Sequence, residues 1–126
     1  MILIIKPKQK TIKTSLDKSN LIAKAAFDKK AQHVCIMNME PLTTSANYFI
    51  VCNGRSAIQA KAIADNIDEQ LRLAGEHCLH TEGYKTGEWI LLDYGDCVAH
   101  IFTEESREFY GLENLWGDAQ LTQYEE

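Results

Sequence analysis

Between Glu82 and Asp96 the chain sets Tyr84, Trp89 and Tyr94 among the carboxylates of Glu82, Glu88, Asp93 and Asp96, with Lys85 alone opposing them. Trp and Tyr offer large, stiff contact area at modest entropic cost, and carboxylates around them steer and orient a basic partner. The composition therefore suits recognition of a positively charged protein. The plainer alternative, common in a small domain, is that the rings fill the core and the acids form a solvated rim. Asp93 and Asp96 also invite an enzymatic reading, a carboxylate pair working with magnesium. Three residues apart across a tight hairpin they should diverge, whereas two-metal chemistry needs carboxylates converging on cations roughly 4 Å apart. His33, His77, His80 and His100, with Cys78 and Cys97, raise the question of zinc. Alternation along a strand puts Cys78 and His80 on one face and His77 on the other, so no ligand set is expected to converge, and neither metal nor cofactor is expected. Gly54-Arg55-Ser56 at a strand-to-helix junction offers free N–H groups to an anion, but the phosphate-loop and dinucleotide fingerprints are absent and helix capping already accounts for Ser56.

The 126 residues are 45% hydrophobic and 25% charged, the balance of one ordinary globular domain rather than a disordered or membrane chain. Cys35, Cys52, Cys78 and Cys97 lie scattered in apolar runs with no C-x-x-C pair, so they read as reduced thiols of a cytoplasmic protein. The early apolar stretch from Ile2 to Ile5 is far too short for a signal-peptide core or a membrane span. The formal net charge is −5 although Lys6, Lys8, Lys10 and Lys13 crowd the start, so the rest of the chain is more acidic still. A surface of that sign repels phosphate backbones, which argues against DNA and against bare RNA as the main contact.

These residues need a scaffold. Residues 1–14 mix Lys, Thr and Gln with few apolar residues after Ile5, and residues 120–126 are polar; they read as a basic, poorly ordered extension and a flexible tail around a domain over 15–119. Leu21, Ile22, Ala25 and Ala26 predict an amphipathic helix from about Leu16 to Lys30. Val34-Cys35-Ile36-Met37 and Tyr48-Phe49-Ile50-Val51-Cys52 are continuously apolar and predict two central strands covered on both faces. Ala60, Ile63, Ile67, Leu71 and Ala74 recur at helical spacing, with Ser56 and Gln59 forming a capping box at the start and Gly75 closing the end. Three short strands follow, near His77 to Thr81, Glu88 to Leu92 and Cys97 to Thr103, the last two joined by a hairpin at Asp93-Tyr94-Gly95-Asp96. Thr103 with Glu104 and Glu105 starts a short helix through about Tyr110. The order implies an α/β (α+β) layer fold, one mixed sheet flanked by helices.

Taken together, Asp28-Lys29-Lys30-Ala31, Asn47-Tyr48-Phe49-Ile50-Val51-Cys52-Asn53-Gly54, Glu82-Gly83-Tyr84, the run from Glu88 to Asp96, Val98-Ala99-His100-Ile101-Phe102 and Leu115-Trp116-Gly117-Asp118-Ala119 resemble the ribosomal silencing factor (Iojap) family over roughly residues 16–119. The lysine-rich start lies outside the resemblance, and Asn38 and Asn47 stand where relatives usually carry aspartate. The resemblance implies a nucleotidyltransferase-like fold, a mixed five-stranded sheet with helices on it, without that superfamily's catalytic aspartates, so the enzyme using Asp93 and Asp96 with magnesium becomes the rival reading. It implies a non-enzymatic factor that binds the large ribosomal subunit through ribosomal protein fourteen (uL14), blocks joining of the small subunit and slows translation. It places the contact on Tyr84, Glu88, Trp89, Leu91, Asp93 and Tyr94, extended to Glu82 and Asp96. An aromatic patch left open in the free protein is also a surface for self-association, so a homodimer is an expectation for the free state.

Overall fold

The computed structural model describes residues 12–125. Residues 1–11 of the expected basic extension lie outside the described residues. The elements run α1 (Ser15–Asp28), β1 (Gln32–Asn38), β2 (Tyr48–Gly54), α2 (Ala57–Leu73), β3 (His80–Glu82), β4 (Trp89–Asp93), β5 (Cys97–Thr103), α3 (Glu104–Tyr110), α4 (Leu112–Leu115) and β6 (Gln120–Gln123). The sheet order is β3-β4-β5-β2-β1-β6, parallel only between β2 and β5. A mixed sheet with helices is the fold class expected, but the strand count rises from five to six. The extra strand is β6, whose four residues are all exposed. It leaves no hydrophobic pattern to read because backbone bonds to β1, and not side-chain burial, hold it in place.

The helix ends follow from local chemistry. The Thr14 hydroxyl oxygen accepts the N–H of Asp17 at 3.0 Å and caps α1. Ser56 accepts from the N–H of Gln59, while the Gln59 carboxamide oxygen accepts from the N–H of Arg55 at 2.7 Å, one residue earlier than in the usual reciprocal box. The N–H groups of Arg55 and Gln59 are thereby satisfied within the chain. At the other end Gly75 takes φ +87°, its N–H donates to Arg72 and that of Glu76 donates to Leu71, a Schellman close.

Both sheet faces are used, unequally. Leu21, Ile22, Ala25 and Ala26 of α1 and Ile63, Ile67 and Leu71 of α2 bury one face against Ile36, Ile50, Ile90, Leu92 and Ile101. The reverse face carries a smaller cluster, Cys35, Met37, Met39, Val51, Phe102 and Leu112, with Phe49, Trp89 and Trp116 half-buried around it. This is why Val34 to Met37 of β1 are all buried. Arg107 fixes the short helices over that cluster. Its guanidinium binds the Glu113 carboxylate at 3.0 and 3.3 Å, the Asn53 side-chain oxygen at 3.0 Å and the His33 carbonyl at 2.7 Å.

Candidate functional site

Four of the eight residues marked by sequence share one sheet face, and the other four lie elsewhere. Register decides the first group, because residues paired directly across strands share a face. Glu82 pairs with Leu91, Leu91 with His100 and His100 with Val51; one step along, His80 pairs with Asp93, Asp93 with Val98 and Val98 with Phe49. Trp89 pairs with Phe102 on the same face. Glu82, Trp89, Leu91 and Asp93 therefore share the face away from α1 and α2, with Glu82 exposed and the other three half-buried. Phe49 and Val98, which sequence reasoning did not assign, are half-buried beside them. Their place follows only from the parallel pairing of β2 with β5, which no local pattern announces. Trp116 closes the end of the row, its ring 6.3 Å from Phe49 and edge-on to it.

The other four candidates lie elsewhere. Tyr84 sits against α2, its hydroxyl donating to the Asp65 carboxylate at 3.1 Å and the Lys61 ammonium lying 5.8 Å over its ring. That hydrogen bond, with some desolvation, raises the phenol pKa. Glu88 lines an open groove with Glu104, Glu108, Phe109 and Tyr110. Tyr94 is a correction: it is only 3% exposed, packed in the helix-side core. Its hydroxyl donates to Asp68 at 3.2 Å, and burial first, then the Asp68 charge, holds the phenol pKa far above its usual range. A ring so placed fastens the hairpin to α2 and offers no contact area.

Asp96 is held by an ion pair. It accepts from the Lys18 ammonium at 2.6 Å, while Glu76 lies 3.3 Å away and the Tyr94 carbonyl accepts at 3.2 Å. Burial works to lower the Lys18 pKa, but Asp96 and Glu76 outweigh it and the net shift is upward. Asp93 is used differently: its carboxylate accepts the N–H of Gly95 at 2.8 Å and shapes the turn from the opposite sheet face. The two aspartates thus diverge, one tied to an ammonium and the other to backbone. Among the described residues no group of three His, Cys, Asp or Glu side chains converges as a metal site. The four cysteines are free, and burial pushes the pKa of Cys52 and Cys97 up to about 12, so both stay as thiols.

Trp89 and Phe49 also belong to an aromatic cluster. Trp89 stacks on Phe102 at 4.9 Å and leans on Tyr110 at 4.8 Å. Its indole N–H donates to Nδ1 of His100 at 3.1 Å. Phe49 meets the same imidazole edge-on at 4.7 Å. His100 is 4% exposed, and burial alone pushes its pKa down to about 4. The folded state therefore resists protonation of this ring. The unfolded chain takes up that proton near pH 6.5, so stability conferred by neutral His100 is complete above pH 6.5 and is lost as pH falls toward 4, by up to about 3 kcal/mol. Denaturant titrations between pH 4 and 7 should show this slope in the native protein and a shallower one in His100→Asn. Equal slopes would mean that the ring titrates freely.

Comparison with known proteins places this arrangement. Residues 12–126 match the family described as ribosomal silencing factor during starvation. A ribosomal silencing factor RsfS of Halalkalibacterium halodurans is 38% identical over 105 residues, covering 83% of this chain and 90% of the relative. The Bacillus subtilis protein of the same name is 40% identical over 101 residues, covering 80% of this chain and 86% of the relative. A crystal structure of a Chromobacterium violaceum protein superposes with a TM-score of 0.82 at 33% identity, covering 83% of this chain and 88% of that one. Because the match spans all of the sheet and the helices on both its faces, the chain belongs to the ribosomal silencing factor family.

Proposed function

We propose that the protein binds the large ribosomal subunit through ribosomal protein fourteen (uL14), using the uncovered part of its sheet face, and excludes the small subunit by bulk, so repressing translation. One observation carries the choice of surface. Leu91, Val98 and Phe49 form a half-buried apolar row that no helix covers fully, and Glu82 and Asp93 flank it. An apolar centre with an acidic rim fits a basic protein surface, and the net charge of −5 disfavours bare RNA. In this reading the protein works in the cytoplasm without a cofactor and without a catalytic step. The same row is open to a second copy of the chain when no subunit is present, giving a homodimer that the subunit displaces. At a free concentration about a hundred times its Kd, a factor binding only the free large subunit opposes joining by about 2.7 kcal/mol.

Sucrose gradients of purified subunits test this directly. The protein is expected to travel with the large subunit and to deplete joined ribosomes. Leu91→Glu, at a half-buried position where a carboxylate stays solvated, should remain near the top of the gradient. Joined ribosomes left intact at saturating dose would overturn the steric mechanism. Equal co-sedimentation of the native protein and Leu91→Glu would move the contact off this face.

A further inference from the structure

The docking face depends on a ring that itself touches nothing outside the protein. We propose that His100 is a positioning residue for Trp89, its Nδ1 anchoring the indole N–H so that the ring is held in one orientation before any partner arrives. This rests on the reading of the sheet face given above.

The geometry gives the argument. An indole has one donor and no acceptor, so a single well-placed lone pair decides where its N–H points. Nδ1 of His100 supplies that lone pair at 3.1 Å from Nε1 of Trp89. Accepting there leaves the imidazole proton on Nε2, and Nε2 is buried with no hydrogen-bond partner among the described residues. Burying an N–H unpaired is unfavourable, and an aliphatic residue on this apolar strand would avoid it. The imidazole is therefore worth keeping for its other nitrogen. Phe49 from β2, edge-on at 4.7 Å, and Leu91 and Val51, the cross-strand neighbours, bring no charge against the ring. The acceptor consequently stays an acceptor through the whole physiological range. With its N–H engaged inside, Trp89 has no donor left for a partner, and recognition must use the ring itself through apolar or cation–π contact.

A merely structural histidine would support the fold without setting the ring, so the test reads both. His100→Leu removes the acceptor with little change of volume, and His100→Asn restores an amide oxygen near the position of Nδ1. In His100→Leu the Trp89 indole N–H proton resonance should shift and exchange faster with solvent, and large-subunit affinity should fall about tenfold. His100→Asn should recover most of both. If His100→Leu does not fold, Trp89→Phe is the second variant: it keeps an aromatic ring but removes the anchored donor together with part of the indole, and it should lose at least about tenfold. A shifted indole resonance with unchanged affinity, or Trp89→Phe binding like the native protein, overturns the positioning role. Leu91→Glu binding like the native protein overturns instead the surface on which that role rests, so the two failures are distinguishable.

Discussion

Gly83→Ala is expected to lower stability by about 4 kcal/mol or more, a fall in melting temperature of roughly 15 °C. Two effects add. Gly83 holds φ +76°, where an L side chain is strained by about 1 kcal/mol or more. A methyl group there would also overlap the carbonyl oxygen of Trp89 and come within 3.0 Å of its carbonyl carbon. The obstacle is backbone in the first residue of β4, which pairs with β5 and cannot yield without disturbing the sheet. Thermal or denaturant unfolding checks it, and a melting temperature within a few degrees of the native protein would show that the turn relaxes cheaply. Because β3 brings Glu82 to Leu91, a shift here also misplaces the acidic flank of the docking face.

Trp89→Ala is expected to weaken large-subunit binding at least thirtyfold, the loss typical of a central aromatic anchor worth about 2 kcal/mol or more. It should also destabilise the fold by about 2 to 3 kcal/mol, less than for a fully buried ring because Trp89 is only half-buried. The truncation removes the stack on Phe102 and Tyr110 and leaves Nδ1 of His100 without its donor. Binding must therefore be measured where circular dichroism shows the variant folded. A folded variant of undiminished affinity would exclude the indole from the contact.

Most of the scaffold was legible because its signals are local. The apolar spacing of α1 and α2, the Ser56 cap, Gly75 and the Thr103 start all depend on neighbours within one or two helical turns, and each is found close to where it was expected. The two continuously apolar strands correctly implied burial on both faces. The site was only half legible. Strand alternation gathers Trp89, Leu91 and Asp93, yet it cannot show that Tyr94, one residue past β4, turns into the core, nor that Lys18, 78 positions before Asp96, captures that carboxylate. Both facts are products of long-range packing. For the same reason Phe49 and Val98 escaped notice: what makes them neighbours is a parallel pairing across a helical crossover, not spacing.

The sixth strand has a bearing on solubility. β1 contains four consecutive apolar residues in extended form, the composition most prone to recruit a stranger along its backbone, and β6 occupies that flank with four solvent-facing residues. A short, mostly polar strand thus shields one of the most apolar strands of the sheet. A chain shortened by those few residues would keep its docking row intact while acquiring a template for fibre growth on the far border of the sheet.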